Sequence, residues 1–138
     1  MNYKIIGKYI KTIRFNIPNS QEFFLLSKNI NNYKINIDIT SNQIKDKIIE
    51  VATTLSLLPT KKDLEIIETK IIYSTIIELK ENITDKDMLK RIILIKVPSE
   101  IYPELRKIFV FMFESSGFKK IKISEKIDFE KLYNTKKH

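Results

Sequence analysis

The sequence predicts an α+β fold, with a four-stranded antiparallel β-meander sheet followed by a long helix and a short C-terminal helix. Three observations carry that reading. Tyr33, Ile35, Ile37 and Ile39 alternate with Lys34, Asn36, Asp38 and Thr40, and the same period recurs from Ile49 to Leu57, as half-buried antiparallel strands require. From Met88 onward the apolar spacing changes to that of helices. No internal repeat or low-complexity linker interrupts the chain, and its 138 residues suit one domain over 1–138.

Taken in order, Tyr9, Ile13, Phe15 and Ile17 keep to one side of a first strand that ends at the turn signal Pro18-Asn19. Residues 21–32, with Phe23, Phe24, Leu25 and Leu26 ahead of an Asn-rich stretch, read as an irregular crossover. The second strand starts at Tyr33. Ile49, Val51, Thr53, Leu55 and Leu57 make a third strand up to Pro59, Thr60 to Asp63 a polar hairpin, and Ile67, Thr69, Ile71, Tyr73 and Ile77 the returning fourth. Thr84 is the expected N-cap of a short helix with Asp85 and Asp87 in its first turn. That helix runs through Met88, Leu89, Ile92 and Ile93, and Ile92 to Ile95 fits a helical or an extended ending. Pro98 and Ser99 reset the chain before the main helix, which tolerates Pro103 in its first turns and stops at Gly117. A last short helix over 127–137 displays Phe129, Leu132 and Tyr133.

The main helix is apolar on more than one side. Leu105, Ile108, Phe109, Met112 and Phe113 form a stripe at helical spacing, while Val110 and Phe111 fall opposite. One layer of sheet covers one face, and a second copy of the helix is the simplest cover for the other. These seven residues are therefore expected at an oligomer interface; complete burial within one subunit is the competing reading.

Composition narrows the function. The chain has no cysteine, which removes disulfides, thiolate metal sites and thiol nucleophiles and suits a reducing cytoplasm. No stretch approaches the roughly 18 apolar residues of a membrane helix, and Lys4, Lys8, Lys11 and Arg14 interrupt the N-terminal region where a signal peptide would be apolar. A soluble cytoplasmic protein without direct membrane insertion is expected. The lone histidine is His138, and with only Gly7 and Gly117 there is no phosphate-cradling loop, so neither an enzyme nor a cofactor is expected. Asp85 with Asp87 and Glu65 with Glu68 read as a helix start and a solvated face. The net charge of +8 invites nucleic acid, with Lys119, Lys120, Lys122, Lys126, Lys136 and Lys137 clustered around the last helix. Aromatics are not interleaved with that cluster, and heavy joint use of Ile, Lys and Asn is what an AT-rich genome produces, so nucleic acid ranks below protein as a partner.

Several segments carry a resemblance. "YIKTIRFNIPN" (9–19), "VPSEIYPELRK" (97–107), Gly117-Phe118 and "IDFEKLY" (127–133) resemble, in order and spacing, segments of the SecB family of bacterial protein-export chaperones. Its most specific parts are Pro98, Tyr102, Pro103 and Arg106 in one pattern and Ile127, Asp128, Phe129, Leu132 and Tyr133 in the other. The resemblance implies an ATP-independent holdase for unfolded precursor polypeptides, assembled as a homotetramer (a dimer of dimers) that passes clients to the SecA motor. It also implies a client groove between the crossover and the last helix, with Phe15, Phe23, Phe24, Leu26, Phe129, Leu132 and Tyr133 as candidates. Thr12 and Asn16 stand where the family's first strand has acidic motor contacts, Glu68 is the remaining candidate for that contact, and Ser74-Thr75 replaces two adjacent glycines. The basic charge departs from the family's usual acidity and leaves room for a relative that guards an antitoxin in a toxin–antitoxin system.

Overall fold

The computed structural model describes residues 2–119 and 121–135, so Lys120, Lys136, Lys137 and His138 lie outside the described residues. The elements are β1 (Tyr3–Asn16), α1 (Ser20–Asn29), a 3-10 turn (Ile30–Asn32), β2 (Tyr33–Lys45), β3 (Ile48–Pro59) and β4 (Glu68–Leu79). They are followed by α2 (Lys86–Arg91), a π-helical segment (Ile92–Lys96), α3 (Val97–Ser115) and α4 (Phe129–Thr135). The sheet is antiparallel in the order β1-β4-β3-β2. β2, β3 and β4 form the meander, and the crossover through α1 brings β1 back beside β4.

Alternation decides which side chains enter the core. Val51, Leu55, Ile71 and Ile77 point to one face of the sheet and are fully buried. Leu105, Phe109 and Phe113 of α3 are fully buried too, and together with Leu55, Ile71, Tyr73, Ile101 and Tyr102 they make the larger core. A smaller one holds Tyr3, Ile49, Ile77, Ile92 and Val97 under the π segment. Each such aliphatic or aromatic side chain stabilises by about 1.5–3 kcal/mol relative to exposure.

Four local expectations are corrected. The crossover is not irregular: Asn19 caps α1 by accepting the Glu22 N–H at 2.8 Å, and a polar cap outweighs the Asn-rich composition that argued against a helix. Tyr9 does not share a face with Ile13 and Phe15, because β1 shifts register between Ile10 and Thr12 and one extra residue inverts every later side chain. Asp85 rather than Thr84 caps α2, its carboxylate accepting from the N–H groups of Asp87 and Met88.

The fourth concerns Pro98. It does not reset the chain, since α2, the π segment and α3 run on as one 30-residue helix. A proline lacks the N–H for the bond to residue i−4 and clashes with that carbonyl. The wider turn immediately before it, where the Val97 N–H reaches the Ile92 carbonyl, takes up this mismatch. The helix ends in a Schellman motif: Gly117 sits at φ 103°, its N–H donates to the Glu114 carbonyl and the Phe118 N–H to that of Phe113. Phe118 then packs edge-on against Phe113 with ring centroids 5.6 Å apart.

Candidate functional site

Between α3 and α4 the described residues form no regular element, and two side chains hold the segment down. Tyr102 and Arg106 lie one turn apart on the same side of α3. The Tyr102 hydroxyl donates to the Ser124 carbonyl at 2.7 Å, and the Arg106 guanidinium donates to that of Ile123 at 2.9 and 3.1 Å. Burial pushes the Tyr102 phenol up. The segment so anchored delivers α4, where Asp128 caps the first turn by accepting the Lys131 N–H.

α4 lies against α2 and the π segment. Tyr133 donates its hydroxyl to Asp87 at 2.9 Å, which holds the phenol pKa up. Arg91 pairs with Glu130, and its guanidinium lies 5.8 Å from the centre of the Tyr133 ring. Phe129 is buried edge-on against Tyr102 at 5.9 Å. Between α4 and β2 a groove of about 660 Å³ remains open. Ile37, Ile39, Leu94, Phe129, Leu132 and Tyr133 give it apolar walls, with Asp38, Lys86, Asp87 and Lys90 as its charged lining. Size and lining are those of a binding cleft.

The sequence candidates separate. Phe129, Leu132 and Tyr133 are brought together in the groove. Phe15, Phe23, Phe24 and Leu26 are not among its walls. Phe15 packs edge-on against Phe113 at 5.0 Å, Phe23 packs on Phe118 at 5.0 Å, Leu26 is buried, and Phe24 is 70% exposed on α1. Ile37, Ile39 and Leu94 were not singled out by sequence reasoning. Alternation marked the two isoleucines as inward-facing, but an inward position reads as core until it is known that nothing covers it.

On α3, Leu105, Phe109 and Phe113 face the sheet; Ile108, Val110 and Met112 are half-buried; Phe111 is 69% exposed. Glu104, two turns before Phe111 and on the same side of the helix, accepts from Lys8 of β1 at 2.7 Å and from Tyr73 at 2.8 Å. The Lys8 and then the Tyr73 hydrogen bond hold the Glu104 carboxyl down, while burial and Glu104 push Tyr73 up to about 12. Phe111 thus stands on the β1 side of α3, where Ile10 and Ile13 are also exposed. On the opposite face of the sheet, Glu50 accepts from Ser74 at 2.5 Å, Tyr9 at 3.0 Å and Lys11 at 3.4 Å. The Ser74 bond leads in holding this carboxyl below its ordinary range. Glu68 lies at the end of β4 opposite Asn16, beside a small depression that Glu22 and Glu65 also line. Among the described residues no group of three or more metal-ligating side chains comes together, and no helix is long and apolar enough to cross a membrane.

Residues 1–138 match the family described as SecB, preprotein translocase subunit SecB. The chain is 39% identical over 132 residues to the putative protein-export protein SecB of Pelagibacter ubique (strain HTCC1062), covering 96% of this chain and 94% of that protein. It is 26% identical over 142 residues to the protein-export protein SecB of Anaplasma phagocytophilum (strain HZ), covering 94% and 89%. Among solved structures, the Mycobacterium tuberculosis Rv1957 SecB-like chaperone in complex with a ChAD peptide from the Rv1956 HigA1 antitoxin superposes with a TM-score of 0.63 at 8% identity, over 89% of this chain and 86% of that one. That likeness is one of fold.

Proposed function

This chain belongs to the SecB family, and we propose that it is an ATP-independent holdase that binds unfolded precursor polypeptides and keeps them competent for export. The observation that carries the reading is the open groove between β2 and α4. An unfolded client exposes apolar side chains, and Ile37, Ile39, Leu94 and Leu132 offer them a surface out of water. Each aromatic or aliphatic contact is worth little, so holding arises from many such contacts at once. Holding is a binding activity and calls for no catalytic residue. Residues 1–138 act as one SecB-like chaperone domain, working in the cytoplasm.

Self-association completes the reading. Phe111, Ile108 and Met112, with Ile10 and Ile13 beside them, form the apolar strip through which copies pair, and the family resemblance supports a homotetramer as the assembly. Several grooves in one particle then hold a single client with high effective concentration. Handover goes to the SecA motor, with Glu68 as the acidic contact. Guarding an antitoxin is the second reading, favoured by the SecB-like chaperone whose fold this chain shares; the relative at 39% identity carries an export name and ranks export first. Light scattering of an aggregating client, with and without the protein and with no nucleotide, tests the holdase. Suppression near one assembly per client is expected, and undiminished aggregation sinks the proposal.

A further inference from the structure

Helix α1 and the segment that follows α3 meet at one corner of the molecule. Phe23 packs on Phe118 with ring centroids 5.0 Å apart, and Ile30 and Asn31, just past α1, line a small cavity together with Ile121 and Lys122. Over residues 119–126 the sequence holds four lysines and a single acidic residue, Glu125. The fastening of this segment to the fold uses none of them. Ile123 is buried and Ile121 half-buried, and the bonds from Tyr102 and Arg106 end on main-chain carbonyls. Lys119, Lys122 and Lys126 are left exposed on a segment that is nonetheless held in place. Among the described residues neither they nor Lys28 of α1 form an ion pair, whereas Lys4, Lys8 and Lys11 of β1 each have one.

α1 adds an apolar counterpart to these charges. Its inner side is spent on the core through Leu26 and Phe23, which leaves Phe24 70% and Leu25 48% exposed. Lys28 follows Phe24 by one helical turn and Leu25 by three residues, so the two apolar side chains and the ammonium group are neighbours on the helix surface. Neither Phe24 nor Leu25 lines the groove between β2 and α4. The corner therefore combines an uncovered aromatic and aliphatic pair with four unpaired lysines, away from the groove.

We propose that this corner docks peripherally on an anionic lipid surface, with Phe24 and Leu25 entering the headgroup layer and Lys28, Lys119, Lys122 and Lys126 lying against the lipid phosphates. The proposal stands independently of the client reading of the groove. A bilayer presents hydrocarbon just beneath a layer of negative charge, which is the complement of an apolar pair flanked by ammonium groups. The contact is shallow and calls for no helix that crosses. A nucleic acid would satisfy the lysines but offers Leu25 no apolar host. A second copy would bring the same cations face to face, and that repulsion opposes it.

The test is co-sedimentation of the full chain with vesicles of phosphatidylcholine alone or with about 30% phosphatidylglycerol. Binding should require phosphatidylglycerol and weaken as salt rises. Replacing Lys119 and Lys122 together by Ser should lower the affinity at least about tenfold. Replacing Lys45 and Lys80 by Ser, which removes the same charge at the opposite end of the sheet, should change it less than about threefold. The chain has no tryptophan, so Phe24→Trp gives a single reporter whose emission should shift to the blue on vesicles that contain phosphatidylglycerol. Failure to bind these vesicles overturns the proposal, as does equal loss in the two double variants, which would assign binding to net charge. Binding with unshifted emission overturns it too. A DNA duplex held at physiological salt more tightly than the vesicles, and lost in the Lys119 and Lys122 variant, assigns the corner to nucleic acid and likewise overturns it.

Discussion

At Gly117 a single hydrogen atom matters. Its φ of 103° is a left-handed conformation, and a Cβ there would stand 3.1 Å from the Phe23 ring. Gly117→Ala should destabilise by ~1–2 kcal/mol, read as a lower urea midpoint at unchanged slope. Tyr102 and Arg106 were legible in the sequence as a pattern but not as a mechanism, since their partners are backbone carbonyls, which carry no sequence signal. Tyr102→Phe should cost about 1 kcal/mol, and Arg106→Ala about 1.5–3 kcal/mol because its bonds are charge-assisted. Both should also loosen α4, seen as faster amide exchange over 123–135. Glu50 and Glu104 set the acid response. Their folded carboxyls lie below the ordinary value of 4.5, so the stability they contribute is present above that value and is lost as pH falls through the depressed folded one. Thermal melts from pH 7 to 3 should show that fall, and Glu50→Gln should flatten part of it while lowering stability at pH 7.

The elements were read best where a period ran long. β3 and the turn of β4 announce themselves through Val51, Leu55 and Ile71, because alternation over many residues has one solution. α1 was missed because ten residues give few turns of evidence and its cap, Asn19, sits in what reads as a turn. The groove was half legible. Phe129, Leu132 and Tyr133 came from the tail pattern, while Ile37, Ile39 and Leu94 join them only through the packing of α4 against α2. Substituting Ile37 and Leu132 together by Ser should weaken client holding several-fold, measured by light scattering, while circular dichroism and assembly size stay unchanged. Single changes should be nearly silent, as expected where many weak contacts share a client. Phe24→Ser should leave the melting temperature within about 1 °C, since the ring is mostly in solvent. If Phe24 is also a client contact, that same variant lowers holding.

For the molecule as a whole, the question is what covers the β1 side of α3. Sequence reasoning found an excess of apolar residues on this helix without being able to apportion them, because spacing alone does not say which stripe meets the sheet. Leu105, Phe109 and Phe113 fill the core, and Phe111 is left over. Phe111→Glu should place a charge in the proposed contact and shift the light-scattering mass toward dimer or monomer. A stable monomer in the unaltered protein would remove the self-association proposal altogether. The net charge of +8 predicts weak nucleic-acid binding that vanishes as salt rises from 50 to 200 mM, and a saturable complex at physiological salt would promote nucleic acid over polypeptide as the partner.

The π segment before Pro98 has a consequence for length rather than composition. A wide turn holds one residue more than an α turn, so the residues before it are out of phase by about 100° with an uninterrupted count back from α3. Lys86 and Lys90 of α2 are counted on one side of that offset, and Leu105, Phe109 and Phe113 on the other. Removing any one residue between 92 and 96 would restore a regular helix and swing the first group away from α4, whatever residue was taken out. Drift among chains of this kind should therefore substitute freely here and almost never insert or delete, as in a screw thread, where one tooth more or fewer misaligns everything beyond it.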